Sequence, residues 1–477
     1  MKISGFEQAY YFSNFKLNKE RNEHSRCRFI AHISHKDIKH YLEKVGEEIE
    51  VVLEQHDMNA GGNKSEKIIF RGFISDVDAR IAYADATVEV SSVSYSFYED
   101  ETLHTRIYQN TEKRFKDIAN ESKLHLEKCS LDYVGNIKEK ELPQVILQHK
   151  ESNFAFLKRL ANRFKNGVWV KDTVRKTQIL CAEFLGTIEN RINEEKIVRF
   201  QKKKTINGYR SKITTKEYIE LGYIVKVLDD PKSYLITSVN VQYIHGVLEY
   251  DYDLEEIKQN ANGIECEKEL QKSIRLISTV LKNDDPENMG RIQVSFDDIE
   301  DVDKDKPAWI EYRSPYAGDV GGIVFIPDIG DKVEVVFNNE EVYAHSTIRK
   351  KPLANECQNV LDKYIGNNTA QRVIWKKDSL EILSSDNSII LNKEKIQLSV
   401  GKSAVVMTEK NIYLQCGDNV LKIDENDISA IASKKIGLNA KNDFVVGINQ
   451  KNKISVNSDI NLDAGTINLK ANDVKII

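Results

Sequence analysis

The chain has 477 residues, of which 40% are hydrophobic and 30% charged, with a formal net charge of −5. That length suits about three domains, and the acidic balance gives no electrostatic reason to expect nucleic acid. Seven prolines and the absence of any low-complexity run argue against long disordered linkers, and no stretch approaches the ~18 apolar residues of a membrane span.

The opening MKISGFEQAYYF lacks the basic, apolar and small-residue succession of a secretory signal. The expected location is the cytoplasm, with any export by a route that needs no signal peptide. Cys27, Cys129, Cys181, Cys266, Cys357 and Cys416 show no CxxC spacing, which predicts reduced thiols.

Residues 1–270 read as mixed β with a few helices. Strands are predicted around 28–33, 49–53, 68–74 and 87–93 from β-branched and alternating apolar residues. Ser34 or Asp37 can cap a short helix holding Ile38, Leu42 and Val45. A second helix is predicted from Thr111, with Phe115, Ile118, Ala119 and Leu124 as its apolar positions. The clearest helix spans 151–164 and puts Phe154, Leu157, Leu160, Ala161 and Phe164 on one face. Gly167 follows, then a strand through Val168, Trp169 and Val170.

Residues 266–287 read as a connector. Residues 288–350 then hold about five short strands, among them 292–296, 309–312, 322–326 and 332–337, with Pro327-Asp328-Ile329-Gly330-Asp331 as a turn. So many strands in about sixty residues predict a small barrel of the OB kind. A linker at 351–375 leads to the last region, 376–477.

That region repeats every eight positions. Steps of eight from Leu380 pass Ile396, Ile412, Val420, Ile428, Ile436, Phe444 and Ile460. Alternation follows within the units, as in Ile396, Leu398 and Val400, or Ile412, Leu414 and Cys416, or Ile436, Leu438 and Ala440. The spacing tightens to seven at Ile467 and Leu469 and again at Val474 and Ile476. Polar turns rich in Asn, Asp, Lys and Ser separate the units. Alternation gives each short strand one apolar face, and a fixed short period predicts a stacked β-solenoid. Three apolar side chains per octad cannot offset the entropy of ordering eight residues, so the column needs other surfaces. Eight is short for a coil of a single-chain β-helix, so several chains wound round one axis are expected, three above all. The predicted needle core is Ile396, Leu398, Ile412, Leu414, Ile428, Ile436, Leu438, Phe444, Ile460, Leu462, Ile467 and Leu469.

Chemistry-bearing motifs are sparse. Asp301-Val302-Asp303-Lys304-Asp305 opens like a calcium loop, but Lys306 and Tyr312 stand where glycine and glutamate are needed. His32, His35 and His40 lack further ligands for zinc. Gly61-Gly62-Asn63-Lys64-Ser65 has Asn63 where a phosphate loop needs glycine, and Lys202-Lys203-Lys204 reads as a solvated hairpin. No GxSxG or Cys–His pattern is present. The expectation is therefore a chain without enzymatic activity, cofactor or bound metal.

Three segments together resemble the VgrG family, the spike of type VI secretion and related contractile injection machines. The helix Ser152-Asn153-Phe154-Ala155-Phe156-Leu157 with Gly167 resembles the family's hub helix. The segments Gly290-Arg291-Ile292-Gln293-Val294, Trp309, Ser314-Pro315-Tyr316-Ala317-Gly318 and Ile326-Pro327-Asp328-Ile329-Gly330-Asp331 resemble its OB domain, and the octads its needle. The order of the three matches along nearly the whole chain. Departures are Asn153, where the family often has Asp, and Asn162 and Arg163 in place of acidic residues. The stretch between barrel and needle is too short for a lysozyme domain, and neither a His-rich metal tip nor a C-terminal effector domain is expected.

The resemblance implies a mainly β protein: a hub of two β-barrels with helices, an OB barrel, and a trimeric β-helix needle. It implies a homotrimer matched to a hexameric, Hcp-like tube protein, together with baseplate components and effectors. The machine would inject it across a target membrane. The apolar end at Val474, Ile476 and Ile477 would take a PAAR-type tip protein. A phage tail, an R-type bacteriocin or an extracellular injection particle would use the same fold. A β-helical tailspike enzyme or glycan-binding protein is the reading from another class. It needs paired carboxylates and aromatics, and the repeat region has few aromatics.

Overall fold

Alternation along the strand Tyr11–Glu20 turns Phe15, Leu17 and Lys19 inward and Lys16, Asn18 and Glu20 outward. This strand is the seam of the molecule's largest sheet. The computed structural model describes residues 1–56, 64–82, 85–122, 127–141, 144–188, 192, 194–205, 208–244, 247–257, 273–318, 322–338, 341–349, 359, 361–367, 369, 371–445 and 465–466. They fall into two compact units, 1–350 and 351–477.

In the first unit, one edge of the seam strand pairs antiparallel with Arg26–Ile33, which continues through Asp85–Val93, Lys64–Ala82 and Glu48–His56 to Lys2–Ile3. The other edge pairs antiparallel with Ser233–Ile244, Leu17 lying opposite Val241, and continues through Val247–Glu256, Gly208–Thr215 and Ile197–Thr205. The hub thus consists of two antiparallel halves, from separate parts of the chain, joined edge to edge. One apolar core runs through both, with Phe15, Leu17, Phe29, Val88, Val239 and Val241 all buried.

The helix Asn153–Arg163 starts at Ser152, whose hydroxyl accepts from the backbone N–H of Ala155 at 3.2 Å. Phe154, Phe156, Leu157, Leu160 and Ala161 are buried against a sheet of Gly167–Lys171, Thr177–Ala182 and Cys129–Tyr133. Phe164 is only half-buried, and Phe156, which the predicted face omits, is buried and stacks on Tyr108. The second helix begins at Phe115 rather than Thr111, because Asp117 caps it through the backbone N–H of Arg114; Leu124 lies outside the described residues. In the short helix Ile38–Leu42 the buried side chain is Tyr41, stacked on Phe6, whereas Leu42 and Val45 are exposed. An aromatic in the facing position covers more area than either aliphatic, and it sets the helix's rotation.

The OB barrel begins earlier than residue 288. Ile274–Lys282, within the predicted connector, is an interior strand of its sheet and pairs with both Lys332–Phe337 and Gln293–Ser295. Val342–Ile348 and Glu311–Tyr312 complete the sheet. The predicted strand at 322–326 is reduced to an isolated bridge between Gly322 and Ala317: among the described residues Ile323, Val324 and Phe325 form an exposed apolar segment outside any ladder. Gly330, at φ 90°, makes the turn before Lys332, and Val280 exchanges backbone bonds with its neighbours. Asp285 closes the entry loop. It takes both Arg291 side-chain bonds and three backbone N–H bonds, which hold its carboxyl well below the usual range. Cys27, Cys129 and Cys181 are free and buried, and Cys416 is free and exposed.

Candidate functional site

The second unit holds an antiparallel meander of nine strands from Lys363 to Ile431. Six of them start at Ser379, Asn387, Lys395, Ser403, Asn411 and Asn419, in register with the sequence period. Its turns alternate in chemistry. At one end Ser385, Gly401 and Gly417 take positive φ in two-residue hairpins. At the other end Asn392, Thr408 and Asp424 accept backbone N–H bonds two and three residues on. The structural repeat is therefore a hairpin of two octads.

The same alternation assembles one apolar face. Paired residues share a face in an antiparallel ladder. Leu380 lies opposite Leu391, Leu391 opposite Ile396, Ile396 opposite Met407, Met407 opposite Ile412, Ile412 opposite Ile423, and Ile423 opposite Ile428. A parallel row runs through Ile382, Ile389, Leu398, Val405, Leu414, Leu421 and Ala430. Of the predicted core residues, Ile396, Leu398, Ile412, Leu414 and Ile428 are brought together here. Met407, Val405, Ile423 and Leu421 escaped the sequence reading because even octads carry their apolar pair one place later than odd ones. Val420 pairs with Gln415 and faces the other way.

This face is open. Ile396, Leu398 and Leu414 are between 42% and 43% exposed, Ile428 76%. A continuous surface of large aliphatics is far more than the scattered apolar residues of an ordinary protein surface.

Ile436, Leu438 and Phe444 do not join the ladder; residues 432–445 carry no strand, and all three side chains are exposed. The cause lies in the register. One more antiparallel strand at the same spacing would set Gly437 opposite Ala430 and Asn439 opposite Ile428. Ile436 and Leu438 would then point to the opposite face, so the single-chain meander stops. Ile460, Leu462, Ile467, Leu469, Val474, Ile476 and Ile477 lie outside the described residues.

The other motifs have structural employment. Asp301 accepts from Gln109 and from the backbone N–H of Asp303, and Asp303 pairs with Lys113 and the N–H of Asn110. The calcium-like loop thus ties barrel to hub, where Glu300–Asp301 pairs with Leu103–Tyr108. Beside it the buried Arg106 donates to Glu300 at 3.0 Å, to the Ser122 carbonyl at 2.9 Å and to Asn153 at 3.2 Å. His32 stacks on Tyr11, and Lys202 pairs with Asp230. Residues 61–63 lie outside the described set, and Lys64 opens a strand. Among the described residues no three His, Cys, Asp or Glu side chains converge as metal ligands, and no helix is long and apolar enough to cross a membrane.

Residues 276–345 match the type VI secretion system/phage-baseplate injector OB domain. No curated protein sequence matches the chain. Among solved structures, the E. coli c3393 protein is 12% identical with a TM-score of 0.51, covering 73% of this chain and 99% of its own. It is described as a component of the type VI secretion system, similar to the T4 bacteriophage tail proteins gp27 and gp5. A lidless PdpA–VgrG complex is 9% identical with a TM-score of 0.52, covering 88% and 93%. The lidded Francisella PdpA–VgrG complex is 9% identical with a TM-score of 0.50, covering 88% and 76%. Mainly β, with a two-part hub leading into an injector OB domain, the chain has the fold of the VgrG-like spike proteins of type VI secretion and phage baseplates.

Proposed function

We propose that this chain is one subunit of a homotrimeric spike in a contractile injection machine, and that its work is mechanical rather than catalytic. The observation that carries this reading is the open face of the octad meander. Each of its aliphatic side chains would gain about 1.5–3 kcal/mol on full burial. Identical faces of three chains supply matched partners for one another about a closed axis. Winding three such sheets together covers the face and converts the register break after Ile431 into a place where pairing passes between chains. A dense, dry core of this kind is stiff, which suits a body driven through a target membrane.

On this reading the hubs, each with two antiparallel halves, form a ring matched to a hexameric, Hcp-like tube. Val474, Ile476 and Ile477 receive a PAAR-type tip protein, and effectors travel with the complex. Assembly takes place in the cytoplasm, and export is by the machine itself.

Light scattering on the purified chain tests the core of the reading. Three chains of 54.7 kDa give about 164 kDa. Replacing Leu398 and Leu414 with Asp puts charges on the face and should shift the particle to 54.7 kDa. A wild-type protein that runs as a monodisperse monomer would remove the basis for the spike.

A further inference from the structure

Lys19 stands where the alternation of its strand calls for an apolar residue. Its side chain is 0% exposed, inside the hub core, in direct contact with the carboxylate Oδ1 of Asp172, also 0% exposed. The two residues are 153 positions apart and come from different sheets, the seam strand and the end of Gly167–Lys171. Asp172 Oδ2 has Ser25 beside it but forms no well-made hydrogen bond. Among the described residues one further carboxylate approaches: Glu220 Oε1 lies 3.8 Å from Lys19 Nζ, 21% exposed, and accepts from the Tyr218 hydroxyl at 3.4 Å. The Tyr218 ring lies 5.7 Å from the ammonium and helps to wall the site off from solvent.

An amine held against a carboxyl group, away from water, beside a partly exposed second carboxylate, is a reaction site as well as an ion pair. We propose that Lys19 and Asp172 condense into an intramolecular amide, with Glu220 carrying the proton, so that the hub is covalently cross-linked.

The steps balance without any co-reactant. Within the contact the ammonium gives one proton to the carboxylate, leaving a neutral amine and a neutral acid, since a dry site disfavours both charges. Burial pushes the Asp172 carboxyl up, in the sense this transfer needs. The Nζ lone pair attacks Cγ and forms the C–N bond. Glu220 takes a second proton from the nitrogen and returns it to the departing hydroxyl, breaking the C–O bond. One water leaves, and nothing is oxidised or reduced. The product has no buried charge: Oδ1, which took the proton within the contact, departs with the water, and Oδ2 remains as the amide oxygen. Proximity supplies most of the drive, because both reactants are fixed before the reaction begins. The inference concerns the hub alone and is independent of the spike reading.

The test is the intact mass of the full chain under denaturing conditions, followed by protease digestion. The expected result is a mass lighter by one water and a branched peptide joining residues 19 and 172. Glu220→Gln should keep the fold by circular dichroism and show the full mass. A wild-type chain at its full sequence mass leaves only an ion pair and overturns the proposal. So does the loss of a water with residues 19 and 172 in separate linear peptides. A Glu220→Gln variant that still loses the water overturns the assignment of Glu220.

Discussion

Gly72 lies in the strand Lys64–Ala82 next to the bulge that bends it over Asp85–Val93. A Cβ there would sit 2.1 Å from the Val93 carbonyl oxygen and 2.9 Å from the Phe70 ring, neither of which can retreat. Gly72→Ala should therefore destabilise the hub by about 3 kcal/mol, read as a lower denaturant midpoint; an unchanged midpoint would show that the two strands can part. Asp297 in the barrel gives a pH signature. Bonds from Lys332 at 2.7 Å, Thr279 at 2.8 Å and Ser295 at 3.0 Å hold its pKa down to about 2 from an ordinary 3.8. A lowered folded pKa means stability that is present above 3.8 and lost as pH falls towards about 2. The side chain is about half exposed, so screening leaves ~1 kcal/mol. Asp297→Asn should cost that much at pH 7, and the gap from wild type should close by pH 2; a gap that persists there refutes the assignment. Asn153 is the residue-scale departure with a local reason. Its amide donates to Glu99 at 3.4 Å while its oxygen accepts from Arg106 and Gln148, a division of roles that a carboxylate could not fill.

The helix Asn153–Arg163 depends on its first turn. Ser152 accepts from Ala155 N–H and donates to Asp100, so one hydroxyl fixes both the helix start and its tether to the preceding loop. Ser152→Ala should cost about 1–2 kcal/mol in thermal unfolding, with loss of helical signal confined to this element. An unaltered melt would mean that packing of Phe154 and Leu157 alone sets the helix. The helix and the following strand were legible because apolar period is a local signal; the cap was not read, since the predicted span 151–164 placed Ser152 inside the helix rather than at its start. Ile274–Lys282 was not, because its six-residue ladder with Lys332–Phe337 pairs residues nearly sixty positions apart. The converse holds at 323–325: β-branched residues suggest a strand, yet among the described residues no sheet edge receives them.

At the scale of the molecule, the two halves of the hub, the barrel and the octads are successive answers to one requirement, that every apolar sheet face be covered. The first unit meets it internally. The meander does not, and the proposed trimer follows from that deficit. The C-terminal octads would carry the same demand to the tip. Replacing Ile476 and Ile477 with Asp should abolish binding of a PAAR-type protein in a pull-down while the mass by light scattering stays at the trimer value; retained binding would place the tip contact elsewhere.

Periodicity alone determined the β class of the chain, the barrel with its Pro327–Asp331 turn, and the octads with their apolar residues, because each is written in neighbouring residues. Tertiary structure decided what periodicity could not encode. It set the seam between Tyr11–Glu20 and Ser233–Ile244, the employment of Asp301 and Asp303 as ties between barrel and hub, and the burial of Lys19 against Asp172. It also showed that the face repeats every second octad and loses register after Ile431. Those features arise from pairing between distant segments, and a strand's partner is a property of the whole sheet rather than of its own sequence.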